Sequence, residues 1–169
     1  MAEQNAFTAY DTGRMFYHGF ITLMKIHDEA RTTGNYADLT LLIPSMTNGA
    51  FAIELFLKSL LEQPVRGHRL YKLYQELEQQ DGTTALLIQF ACIVFLRKRL
   101  TKPSYSEKDF REDFIRHERM FEEIRYFYEP REKDLQYSID FTYILAGILC
   151  RICESKFGPR PLKNGVVGK

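Results

Sequence analysis

The residues able to do chemistry gather in two groups. Glu54 and Lys58 stand four apart inside the apolar run 48–61, and His68 follows Gly67 directly. Arg125, Tyr126 and Glu129 come later, in a stretch dense with aromatics. A carboxylate among Ile53, Leu55, Phe56 and Leu57 needs cations, because breaking a buried ion pair typically costs about 3–5 kcal/mol. The helical i,i+4 spacing offers Lys58, and Arg125 is the second cation expected across the bundle. Two readings of Glu54, Lys58, His68, Arg125, Tyr126 and Glu129 stay open: a structural polar framework, or a site for a ligand such as a nucleotide phosphate. His68 can cap a helix, bond a carboxylate or face that ligand.

The second group is Arg111 and His117, among Arg116, Arg119 and Arg125. Breaking a phosphodiester through its 2′-hydroxyl needs an acid or base that titrates near neutrality and a cation at the crowded phosphate. Histidine supplies the first and the arginine fork the second. The plainer reading packs His117 near Phe114 and Phe121 and pairs the arginines with Glu112, Glu118, Glu122 and Glu123. Cys150 and Cys153 have C-x-x-C spacing, but they lie inside an apolar helix with no second pair, so packing is expected and no metal. The sequence has no glycine-rich phosphate loop and no H-E-x-x-H, so no cofactor is expected. His18 and His27 lack companions and are expected at the surface or its boundary. Arg97-Lys98-Arg99 with Lys102 can touch phosphates or simply end a helix. Tyr126-Phe127-Tyr128 can stack on bases or meet a second subunit.

These groups need helices to hold them. Apolar residues recur at helical spacing over 7–30, 44–62, 68–79, 83–100, 110–128 and 135–157, and no segment alternates with period two. Thr83 or Thr84 is the expected cap of the fourth helix. Gly158-Pro159 closes the sixth. The expectation is an all-α antiparallel bundle of five to six helices, with one domain over 1–157 and a disordered tail over 158–169. The helix 44–62 is apolar nearly all round and belongs in the middle. The 169 residues are 45% hydrophobic with a net charge of +1, so a binder driven by bulk positive charge is excluded. An odd count of three cysteines and a polar N-terminus favour a reducing cytoplasm. The most apolar run, 85–96, is shorter than the roughly 20 residues that span a bilayer, so no membrane partner is expected.

Three segments resemble the HEPN family of small helical bundles. Residues 50–61, Ala-Phe-Ala-Ile-Glu-Leu-Phe-Leu-Lys-Ser-Leu-Leu, are similar to its A-x-E-x-x-L-K-x-L-L core. Gly67-His68-Arg69-Leu70-Tyr71-Lys72-Leu73 resembles its G-H-x-L-x-x-L. Residues 121–129, around Arg125-Tyr126, resemble its late Arg-Tyr element. The similarity covers about 40–129. It implies a homodimer with a polar site between the middle helices. Family members include metal-independent ribonucleases, toxin or anti-phage components, and modules that bind nucleotides or simply dimerise. The ribonucleases carry an Arg and a His separated by four to six residues, which Arg111 and His117 match, although the pair lies upstream of the family's usual position. The resemblance therefore implies a dimeric nucleotide- or partner-binding module, with an endoribonuclease acting on RNA through Arg111 and His117, or a structural adaptor, as alternatives.

Overall fold

The computed structural model of the chain describes residues 2–125 and 136–158, and these build an all-α bundle. Its centre is α3 (Leu42–Leu60), the helix that is apolar on nearly every side. Such a helix is stable only when neighbours cover it all round. It packs against α1 (Ala2–Thr33), α4 (Leu70–Gln80), α7 (Met120–Arg125) and α8 (Ile139–Phe157). By length and composition alone the run Tyr36–Leu60, with a mean hydropathy of 1.3 over its most apolar window, could cross a membrane. In this fold Ala50, Ile53, Phe56 and Leu57 from that run are core residues. Pro44 sits in the first turn of α3, where its missing N–H has no helical partner to lose.

The far side is closed by α5 (Gly82–Arg99), which packs on α4 and α8, and by α6 (Glu107–Arg116). Between α4, α6 and α8 lies an aromatic layer. Tyr74 stacks on Phe114 at 4.9 Å, and Phe110 and Phe114 both meet Phe141. Such ring pairs add about 0.5–1.5 kcal/mol beyond the area they bury. A single helical turn, α2 (Tyr36–Leu39), lies in the connection expected between the first two helices.

Most helix positions match the periodicity, and the ends differ in instructive ways. Asp81, not a threonine, caps α5, accepting from the Thr84 N–H at 3.0 Å. Ser106 and Asp109 form a reciprocal capping box that starts α6 ahead of the expected position. The helix expected over 110–128 is interrupted: α6 ends at Arg116 and α7 begins at Met120. The cause is His117. Its ring Nδ1–H donates to the Asp113 carbonyl at 2.6 Å, while its Nε2 accepts from the Ser138 N–H at 2.9 Å. The Glu118 carbonyl is turned outward to accept from the Leu70 N–H at 3.0 Å. Gly158 closes α8 at φ +83, as its glycine suggested. The remainder of the expected tail, 159–169, and the segment 126–135 lie outside the described residues.

Candidate functional site: a buried carboxylate beneath a cationic pocket

The site is built on α3. Glu54 points into the bundle and is only 1% exposed. A lone carboxylate there would be untenable, and two side chains answer it. Lys58 Nζ donates to Oε1 at 2.8 Å from one helical turn further on. His68 Nδ1 lies 2.9 Å from Oε1 and 3.0 Å from Oε2. The His68 contact depends on Gly67, whose φ of +112 is a conformation side chains rarely adopt. That turn brings the ring back onto α3 before α4 begins. An aromatic wall holds it there: Phe121 lies 5.6 Å from the His68 ring and stacks on Phe51 at 4.9 Å.

The exposed half of His68 opens into a pocket of about 270 Å³, lined also by Arg66, Arg69, Lys72 and Glu122. Glu122 is engaged by Arg119 at 3.2 Å, and Arg69 has only a loose contact with Glu118 at 3.8 Å. Positive charge therefore predominates on the walls. Guanidinium and ammonium donors around a cleft suit an anion that accepts several hydrogen bonds, such as a phosphate. Arg66, Arg69 and Lys72 escaped sequence reasoning, although their regular spacing of three across the start of α4 was a usable signal.

The expected partner Arg125 is the last residue of α7, the helix that lies beside α3. Its side chain, together with Tyr126 and Glu129, lies outside the described residues. Glu54, Lys58 and His68 are thus brought together, with Lys58 and His68 as the two partners of the carboxylate.

Arg111 and His117 are committed elsewhere, and to different partners. Arg111 donates to Glu78 on α4 at 2.8 Å and to Glu107 at 3.1 Å, and the Glu78 contact foremost raises its already high pKa. His117 is 1% exposed, packed on Phe141 and Tyr137 with both ring nitrogens bonded to backbone. Burial pushes its pKa below the ordinary histidine value. An imidazole so placed offers no free nitrogen to a hydroxyl arriving from solvent.

Other candidates resolve similarly. The thiols of Cys150 and Cys153 are buried and, chiefly through desolvation, pushed up to about 12, so neither is a nucleophile at neutral pH. His27, expected at the surface or its boundary, is buried against the Leu39 carbonyl at 3.1 Å. Three of the four cations of the basic run are tied down, Arg97 to the Tyr105 carbonyl, Arg99 to Asp140 and Lys102 to Asp109, while Lys98 is exposed.

What fold and site define is a class: an all-α bundle with one charged seam in its core. Comparison with models of known protein families, with curated proteins and with solved structures finds no match to this chain.

Proposed function

We propose that the chain is a HEPN-like binding module without catalysis of its own, acting as a homodimer and taking a nucleotide phosphate in the pocket above Glu54. The observation that carries this reading is the Glu54–His68 contact, which anchors a half-exposed ring at the edge of a cleft walled by Arg66, Arg69 and Lys72. The residues behind the family resemblance, Glu54, Lys58, Gly67 and His68, come from separate motifs and meet around one carboxylate. Chance similarity of leucine-rich helices gives no reason for that convergence. The engagement of both His117 nitrogens favours the non-catalytic reading over the ribonuclease.

The dimer draws support from α5. Leu86, Leu87, Phe90 and Val94 fall within one side of that helix, and all are exposed, Leu86 and Phe90 by 64% and 65%. An apolar patch of this kind marks an interaction surface. In an antiparallel self-pairing the cationic end of α5 (Arg97, Lys98, Arg99) would face the start of the other α5, beside Asp81.

The test is thermal. ATP or ADP without metal raises the melting temperature of wild type, adenosine does not, and Arg69→Ala with Lys72→Ala abolishes the rise. Arg125→Ala is expected to weaken it too. A wild-type protein indifferent to both nucleotides overturns the reading. Incubation with RNA in EDTA is expected to leave the RNA intact, and cleavage lost in His117→Ala would restore the ribonuclease.

A further inference from the structure

A second pocket, of about 210 Å³, lies between α1 and α8, well apart in sequence from the first. Its notable member is Arg14, whose side chain is only 9% exposed. The guanidinium lies 5.6 Å from the Tyr10 ring centroid, and its Nη1 is buried without a hydrogen-bond acceptor among the described residues. Asp11 Oδ1 is the nearest carboxylate recorded, at 4.0 Å, beyond hydrogen-bond reach. Buried polar groups are satisfied in the great majority of cases, and a charged one more stringently than the rest. An orphan guanidinium nitrogen in a pocket wall leaves one hydrogen-bond position for an acceptor from outside the described residues.

The other walls suit the same ligand. Tyr17, His18 and Arg151 line the pocket, and no ion pair ties Arg151 to a carboxylate among the described residues. Tyr17 presents a phenol hydroxyl that keeps its proton at neutral pH, as any tyrosine does, and burial pushes its pKa further up, to about 12. Gly147 lies directly under that hydroxyl: a Cβ there would sit 3.4 Å from the Tyr17 oxygen, an ordinary contact. Glu154, beside the Cys150 thiol at 3.8 Å, is an acceptor on the same wall.

We infer that the Arg14–Tyr17–Arg151 pocket between α1 and α8 binds a small phosphate monoester. Arg14 and Arg151 hold the phosphate, and Glu154 accepts from a hydroxyl of its organic half. Several donors converging from different sides match a tetrahedral oxyanion better than the two oxygens of a carboxylate. The volume admits a compact ester.

The experiment follows the melting temperature of the full chain in glycerol 3-phosphate, inorganic phosphate or acetate, each against chloride at equal ionic strength. Glycerol 3-phosphate is expected to give the largest rise, at least about 2 °C near saturation, and acetate none. Arg14→Gln and Arg151→Ala are expected to remove the rise, while Lys72→Ala, in the pocket above Glu54, keeps it. If Arg14→Gln fails to fold, the exposed Arg151→Ala decides alone. No rise in wild type, an equal rise with acetate, a rise that survives Arg151→Ala, or one lost in Lys72→Ala instead, overturns the assignment.

Discussion

His68 Nδ1 touches both oxygens of Glu54, at 2.9 and 3.0 Å, so a ring with 48% of its side chain in solvent is fastened to a carboxylate with almost none. The exposed edge of the pocket is thereby anchored to a carboxylate that is only 1% exposed. Substitutions here act on folding and on binding in different proportions.

Lys58→Met leaves Glu54 with His68 alone. A fully buried pair broken this way would cost about 3–5 kcal/mol. Lys58 keeps 24% of its side chain exposed, so the expected loss is nearer 1–3 kcal/mol after allowing for solvent screening. Glu54→Ala is expected to cost more than Lys58→Met, and His68→Ala less than either, while His68→Ala weakens nucleotide binding. Urea unfolding together with the thermal response to ADP separates the two effects.

His117 makes stability pH-dependent in a definite direction. Burial lowers its folded-state pKa, so the unfolded chain takes up a proton from about pH 6.5 downward while the folded chain resists. The His117 contribution is complete above that pH and is lost as pH falls toward the depressed folded value. Urea midpoints from pH 7.5 to 5.5 should fall less steeply in His117→Gln than in wild type. At pH 7.5, His117→Ala should cost about 1–3 kcal/mol by stranding the Ser138 N–H.

Two glycines should respond oppositely to alanine. At Gly49 a Cβ meets Thr142 Cγ2 at 3.0 Å and Phe20 Cδ2 at 3.1 Å, so overpacking of about 1–3 kcal/mol outweighs a helix-propensity gain of about 1 kcal/mol. At Gly82 nothing lies within 4 Å, and alanine is expected to stabilise by about 0.4–1 kcal/mol. Thermal melts of both variants settle the signs.

Phe90 tests the proposed dimer. Phe90→Glu places a charge at the middle of the exposed apolar side of α5 and is expected to give a monomer in sedimentation equilibrium where wild type is a dimer. Helical circular dichroism should be unchanged. A wild type that sediments as a monomer at micromolar concentration removes the dimer from the proposal.

Arg111→Ala is expected to be mild. Its contacts to Glu78 and Glu107 involve side chains about a third or more exposed, which limits the loss to about 0.5–1 kcal/mol, smaller still in high salt. A guanidium-dependent activity would instead vanish with it.

The apolar period of the helices and the central place of α3 were legible because burial on several sides writes itself into composition. The Glu54–Lys58 pair was legible from its i,i+4 spacing, and His68 as a carboxylate partner was one of three open readings. The break at 117–119 was hidden. No glycine or proline marks it, and its cause is a contact with Ser138, 21 residues away, which no local pattern encodes. Arg14 was hidden for the same reason, since an arginine on an amphipathic helix looks solvated until α8 covers it. The cap at Asp81 was missed because Asp, Gly and two threonines in succession all signal a helix start, and geometry alone chooses among them.

The place of α8 between α1, α3 and α5 also governs how the chain can be made. On a ribosome α1 and α3 emerge one after the other, with only the single turn α2 between them, and can pair early. The α8-facing sides of α3 and α5 cannot be covered until residues 139–157 have left the exit tunnel. Until then the nascent protein carries an open greasy slot, and α8 is the helix that shuts it.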